Sequence, residues 1–280
     1  MSLRDELRVP PGPVDLTAYA PGGTPGVKGD KEKGEERLAA LGDELLELQT
    51  KLFASRGTHH ARQVLLVLQG MDTSGKGGVL KHTVGLVDPV GVHIVSFKAP
   101  THEELAHDFL WRIEKAVPAA GYLGVFDRSH YEDVLIGRVR HLAPADEIER
   151  RYAAINDFEQ RLVDEGTVVL KCMLHISARE QKERLLARLD DPAKYWKYNP
   201  GDVDERQLWR DYQTAYEIAL ERTNTAHAPW HIVPSDKKWY RNLAIAKLLH
   251  ETLSGLGLDW PAPDFDLERE KKRLAEDTVS

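Results

Sequence analysis

One unbroken stretch carries most of the chemistry this sequence can offer: Gly70, Met71, Asp72, Thr73, Ser74, Gly75, Lys76, Gly77 and Gly78. Gly70, Gly75 and Lys76 stand at the G-x-x-x-x-G-K spacing of a Walker A phosphate loop. Phosphate oxygens need several N–H donors, and glycine lets the backbone approach closely enough to supply them. A helix starting at the loop adds the positive end of its dipole. Lys76 supplies a point charge for phosphates nearer the reacting end. The loop departs from the usual pattern twice. Gly77 stands where a Ser or Thr hydroxyl would normally reach Mg²⁺. Asp72 places a carboxylate where it would repel phosphate unless a divalent cation lay between them. Asp72 is therefore expected to help hold a metal, directly or through water. The plainer alternative is an Asp that only bonds the loop's own backbone.

Two further stretches add to this set. Tyr122-Leu-Gly-Val-Phe126 is an apolar run ending in Asp127 and Arg128, then Ser-His-Tyr-Glu-Asp133. A buried strand ending in a carboxylate is a Walker B arrangement, so Asp127 is a second candidate metal ligand. The fork of Arg128 suits bidentate phosphate contact, although an Asp–Arg pair is also a common structural salt bridge. The spacing of His130, Glu132 and Asp133 fits no standard zinc pattern. Next, Arg179, Lys182, Arg184, Arg188, Lys194 and Lys197 form a cationic run that leads into Tyr195-Trp-Lys-Tyr198. Arg184 and Arg188 share a helix face. A cationic segment after a sheet strand is read as a lid over bound phosphates, against the plainer reading of a solvated face. His59, His60, His82, His175, His227 and His231 are scattered and take no role.

These stretches need a scaffold that brings them together. Val64–Gln69 is a short apolar run, as in a strand buried on both faces. Further strands are read at 92–97, 122–126, 168–175 and 230–233. Helices are read at 35–55, from Thr101 to Val117, at 146–164, after Ser177, at 205–226 and at 236–254. A loop is expected over 190–204. Strands separated by helices imply a parallel sheet with helices on both faces, and ligands of such sheets bind beyond the carboxyl ends of the strands. The segments after Gln69, Phe126 and His175 should thus meet on one edge. The expected fold is a three-layer αβα sandwich with a five-stranded parallel sheet and a lid at about 178–204. The Pro- and Gly-rich residues 1–34 are expected to form an extended arm without regular helix. Residues 35–260 form the main domain, and 261–280 a loose polar tail.

Composition narrows the partners. The chain has 280 residues, and 38 Lys and Arg against 45 Asp and Glu leave a net charge of −7. Such a chain is no general binder of nucleic acid or membrane, so any polyanion must meet a local cationic cluster. The one cysteine, Cys172, excludes an intrachain disulfide framework. No signal peptide or membrane span is expected, and the cytoplasm is the expected compartment. Transfer of a phosphoryl group onto a phosphate needs little acid–base catalysis. The supply of Lys, Arg and carboxylates, without a Ser–His–Asp set, agrees with that chemistry.

In their order and spacing, the loop Gly70–Gly78, Phe126-Asp-Arg-Ser-His-Tyr-Glu-Asp133, Arg188-Leu-Asp-Asp-Pro-Ala-Lys-Tyr-Trp-Lys197 and Ala228-Pro-Trp230 resemble the polyphosphate kinase 2 family. Val27-Lys-Gly-Asp30 and Lys238-Trp-Tyr-Arg241 add to the likeness, which runs from about Pro10 to Phe265. The resemblance implies a thymidylate-kinase-like P-loop fold. It implies transfer from inorganic polyphosphate to AMP or ADP, often reversible, with GMP and GDP as further candidates. The implied cofactor is Mg²⁺, with Mn²⁺ as a substitute, and the implied assembly is a homodimer or homotetramer. By motif match the catalytic positions fall on Asp72, Lys76, Asp127, Arg128 and Arg188. The loop residues, Arg184 and Lys194 would then bind phosphate. The Met71 loop looks most like the class acting on both AMP and ADP, whereas Asp127 and Gly77 depart from that class. The main rival is an ATP-dependent nucleoside monophosphate kinase; a second is a binding regulator without turnover.

Overall fold

A computed structural model describes residues 2–58 and 61–278; His59 and His60 lie outside them. Five strands form one sheet: β1 (Gln63–Gln69), β2 (Val92–Ser96), β3 (Leu123–Asp127), β4 (Thr167–His175) and β5 (Trp230–Pro234). All pair in parallel in the order β2-β3-β1-β4-β5. The central strand β1 is buried along its whole length, as its unbroken apolar run requires. Its side chains alternate between two cores. Leu65 and Val67 join Phe126, Ile148, Ile155 and Phe158 on one face. Leu66 and Leu68 join Leu45, Leu52, Leu170 and Leu243 on the other. Helices Ala145–Asp164 and Trp209–Thr223 contribute to the first core. Helices Lys31–Ala54 and Lys238–Ser254 contribute to the second. Three layers result, as the strand and helix alternation predicts.

The register puts Leu68 of β1 beside Asp127 of β3 and Cys172 of β4. The loops after these three strands therefore leave the sheet at one level, on one edge. Chain direction reverses sides at β1, so the crevice there is the switch point where such sheets bind ligands.

Several local expectations need correction. Helix Lys31–Ala54 starts four residues before position 35, because the Asp30 carboxylate accepts a bond from the Lys33 amide and caps it. The arm is not helix-free: Leu3–Leu7 is a helix closed by a Ser2–Asp5 capping box, ahead of the first proline. The helix read from Thr101 to Val117 is two short ones, His102–Leu105 and Trp111–Glu114. Asp108 restarts the chain between them, its side chain accepting from the Leu110 amide and its carbonyl from the Trp111 amide. The loop expected over 190–204 contains a 3₁₀ helix, Pro192–Lys197, and a helix, Gly201–Gln207. Asp191 caps the first, and the Asn199 side chain accepts from the Gly201 amide. The tail carries a helix, Leu267–Ala275, capped by Asp266 and with no residue buried. Among the described residues no helix is long and apolar enough to cross a membrane.

Candidate active site

The phosphate loop joins β1 to the helix Lys76–His82. Gly75 has φ +111°, a conformation that favours glycine, and a Cβ there would crowd the buried Arg241 guanidinium. Two of the three non-glycine residues in the left-handed region among the described residues lie at this site, Thr73 in the loop (φ 61°) and Arg128 after β3 (φ 64°). Such conformations persist only where surrounding bonds hold them, and they gather at ligand-binding turns. Lys76 is folded back, its Nζ donating to the Gly70 carbonyl at 2.7 Å. Burial pushes its ammonium pKa below the usual value, while Asp72, Glu132 and Asp127 pull it up.

The β3 end meets this loop. Arg128 donates to Asp72 Oδ1 at 3.1 Å and lies 3.7 Å from Glu132 Oε2. Ser96 donates to Asp127 Oδ2 at 3.1 Å. Gln69 Nε2 donates to the Ser129 hydroxyl at 3.2 Å. Burial raises the Glu132 pKa, opposed by Arg128 and Lys76. Among the described residues no group of three or more His, Cys, Asp or Glu could hold a metal alone. Mg²⁺ does not need one: it is typically held by one or two carboxylates, with phosphate oxygens and waters completing its shell. Asp72 and Asp127 are the carboxylates at the loop available for such a set. Each keeps one carboxylate oxygen without a hydrogen bond among the described residues. The site therefore fits a divalent cation bound together with phosphate.

The segment after β4 brings in the cations, not all in the expected way. Arg188 lines both clefts that flank the loop. Arg184 also reaches the loop, but its five N–H groups are already used. They bond Glu180 Oε1 and the carbonyls of Thr73, Ser74, Ser235 and Asp236 at 2.6 to 3.1 Å. No donor is left for phosphate, so this arrangement replaces the phosphate contact expected of Arg184. Lys194 sits at the rim, paired with Asp191 at 2.7 Å. Gly77 is open, with nothing near the position of a Cβ.

Two clefts flank the loop. The larger, of 920 Å³, is lined by Gly75, Gly78, Lys81, Arg188, Lys194 and Lys238 among others. The smaller, of 440 Å³, is lined by Met71, Asp72, Arg128, Glu132, Tyr212 and Tyr216 among others. Sequence reasoning missed three residues here. Glu132 stood four residues after Arg128 as a legible signal. Gln181 and Arg241 have no local signal, because their partners, Asp72 and Ser74, are more than a hundred positions away.

Comparison with known proteins agrees with this geometry. The sequence model of the family described as Polyphosphate kinase 2 matches residues 28–256. The chain is 45% identical to an AMP/ADP-polyphosphate phosphotransferase of Meiothermus ruber, over 93% of this chain and 96% of that one. It is 41% identical to an ADP-polyphosphate phosphotransferase of Rhodopseudomonas palustris, over 82% and 83%. Among solved structures, Polyphosphate Kinase 2 from Arthrobacter aurescens TC1 superimposes with a TM-score of 0.96 at 55% identity, covering 99% of this chain and 98% of that one. A phosphate loop, two carboxylates and a cationic segment on one sheet edge, with this likeness along nearly the whole chain, place it: the chain belongs to the polyphosphate kinase 2 family.

Proposed function

We propose that this protein transfers a phosphoryl group from inorganic polyphosphate to AMP or ADP, in a reversible reaction. One observation carries the reading: a large cation-lined cleft and a smaller carboxylate- and tyrosine-lined pocket meet at the phosphate loop, with Arg188 on the wall of both. The cationic cleft suits a long polyanion, and the smaller pocket suits the nucleotide. The resemblances to phosphotransferases of both acceptor classes support AMP and ADP alike.

The acceptor's phosphate oxygen is already anionic, so no general base is needed. A bond forms between this oxygen and the terminal phosphorus of polyphosphate. The bond to the bridging oxygen breaks, and that oxygen leaves with its electron pair on a chain one phosphate shorter. The loop amides and Lys76 hold the transferred group, with Lys76 released from the Gly70 carbonyl. Arg128 and Arg188 offset charge from either side. Asp72 and Asp127 would hold Mg²⁺ or Mn²⁺, which when bound supplies charge neutralisation of phosphate oxygens. GMP and GDP as further acceptors, a homodimer or homotetramer, and a cytoplasmic location belong to the same proposal.

The test is product analysis with purified protein, polyphosphate of defined length, Mg²⁺ and a panel of AMP, ADP, GMP and GDP, without ATP. Nucleotide products one phosphate longer are expected. A Lys76→Ala variant, folded by circular dichroism, should lose turnover by roughly 10²- to 10³-fold. Phosphorylation that occurs only when ATP is supplied would favour an ATP-dependent nucleotide kinase instead.

A further inference from the structure

The helix Gly201–Gln207 buries none of its residues. Polar bonds tie it to the rest of the molecule, and they come from three directions. Asp202 Oδ2 accepts from Arg188 at 3.4 Å. Glu205 accepts from Arg140 at 2.7 and 3.1 Å and from the Tyr212 hydroxyl at 2.6 Å. Arg206 NH1 donates to the Ala178 carbonyl at 3.0 Å and to Gln181 Oε1 at 2.5 Å.

The last contact continues into the phosphate loop. The Gln181 side chain donates through Nε2 to the Asp72 carbonyl at 3.0 Å. Gln181 is only 2% exposed. An arginine can only donate and a carbonyl can only accept, so the amide has one consistent orientation between them. Leu at this position would break both bonds. Glu would keep the arginine and set a carboxylate oxygen against the Asp72 carbonyl. Asp72 is also the residue that Arg128 grips by its carboxylate. The chain Arg206–Gln181–Asp72 is thus a continuous link from a helix over the acceptor pocket to the backbone of the residue whose carboxylate faces the phosphate loop's partner Arg128.

We propose that Gln181 is a positioning residue that couples the seating of the 201–207 helix to the placement of Asp72 for phosphoryl transfer. The inference rests on the kinase reading above. Gln181 lies in the wall of the smaller cleft and acts there by positioning rather than through a bond to substrate. Its effect falls on the rate of the chemical step, because a loop displaced by a fraction of an ångström misaligns the reacting groups while polyphosphate still binds along the cationic cleft.

The experiment uses Gln181→Leu, Arg206→Ala and the double variant of the full chain. Three quantities are read: kcat, KM for polyphosphate, and backbone hydrogen exchange in residues 70–75 and 199–208. Each single variant should lower kcat by roughly 10- to 100-fold and leave the polyphosphate KM within about twofold. The double variant should be no slower than the worse single one, since one link is cut twice. Exchange in residues 70–75 should rise in Arg206→Ala, although Arg206 does not touch the loop. Additive losses of kcat, or unchanged loop exchange in Arg206→Ala, would overturn the inference. If Gln181→Leu does not fold, Gln181→Met and Arg206→Ala carry the same comparison. Wild-type turnover in this assay tests the kinase reading separately, and the exchange measurement decides the coupling even where turnover is absent.

Discussion

Arg184 and Arg188 are one helical step apart, equal in charge and nearly equal in sequence context, and the fold gives them opposite work. Arg184 is 8% exposed and ties the phosphate loop to the chain after β5 through four backbone carbonyls. Among the described residues Arg188 is bonded at its guanidinium by the Lys197 carbonyl and Asp202. Arg184→Ala leaves the carbonyls of Thr73, Ser235 and Asp236 without that donor, while Arg241 still donates to Ser74, and unsatisfied buried acceptors cost about 1–3 kcal/mol each before relaxation. Urea unfolding should show a loss on the order of 3 kcal/mol or more for Arg184→Ala. Arg188→Ala should stay within about 1 kcal/mol of wild type. The kinetic effects should be distinct as well. Arg188→Ala should raise the polyphosphate KM and make it less sensitive to ionic strength, because a charge facing the polyanion has gone. An Arg184→Ala protein as stable as wild type would show that its five bonds are dispensable; an unchanged salt response in Arg188→Ala would remove Arg188 from the polyphosphate path.

At the scale of elements, a buried polar knot joins β4 to three other segments beneath the active-site edge. Lys171, fully buried in β4, donates to Glu159 at 2.6 Å, to the Tyr131 hydroxyl at 2.9 Å and to the Thr223 carbonyl at 2.8 Å, using all three of its protons. The Tyr131 hydroxyl in turn donates to Glu159 Oε1 at 2.8 Å, and His130 lies 3.3 Å from the same oxygen. Tyr131 and His130 belong to the turn that carries Arg128 and Glu132, so the knot fixes that turn from below. Lys171→Met strands the Glu159 charge and should cost about 3–5 kcal/mol. Adding Glu159→Leu should recover a large part of that loss, since no charge is left buried. Urea midpoints of the three proteins check this; a double variant less stable than Lys171→Met would mean that the knot is held by shape rather than by charge. The sequence contains a visible sign of the knot, a lysine in the middle of Val168-Val-Leu-Lys-Cys-Met-Leu-His175, but not the identity of its partners. The same division runs through the whole structure. All five strands lie within a residue or two of their expected positions, because their apolar runs and flanking breakers are local. Asp72, Lys76, Asp127 and Arg128 come together as expected, because strand ends of a parallel sheet must. The helices at 192–207 and the uses of Arg184, Gln181 and Arg241 were not legible, because each depends on bonds to distant backbone.

For the molecule as a whole, the vulnerable place is the sheet edge opposite β2. There β5 pairs with no sixth strand among the described residues, and the N-terminal arm covers it. The Val9 amide donates to the Trp230 carbonyl at 2.8 Å, Arg8 bridges His231, and Leu3, Leu7, Val9 and Leu16 are buried. Covering the edge in this way hides unpaired strand groups that would otherwise invite another chain. His231 is the titratable group beneath that cover. It is fully buried, with Nδ1 donating to the Lys171 carbonyl at 3.1 Å and Nε2 without a hydrogen-bond partner among the described residues. Burial pushes its pKa down to about 4, with the charges of Arg4, Arg8 and Lys171 acting in the same direction. In the unfolded chain a histidine titrates near ~6.5. As pH falls below that value the unfolded state takes up the proton first, so stability falls with pH until the folded pKa is reached. The full loss from this one group is on the order of 3 kcal/mol, by the conversion of about 1.4 kcal/mol per pKa unit. A His231→Gln variant keeps an N–H for the Lys171 carbonyl but cannot titrate. Urea unfolding at neutral pH and near the folded pKa of about 4 should show wild type losing more stability than His231→Gln, by that amount. Amide hydrogen exchange in residues 3–9, corrected for the intrinsic pH dependence of exchange, should quicken over the same pH interval in wild type and less in the variant, because protonation of His231 favours the state in which the arm above it is released. Equal pH slopes for the two proteins would place the acid sensitivity elsewhere and leave the arm a passive cover.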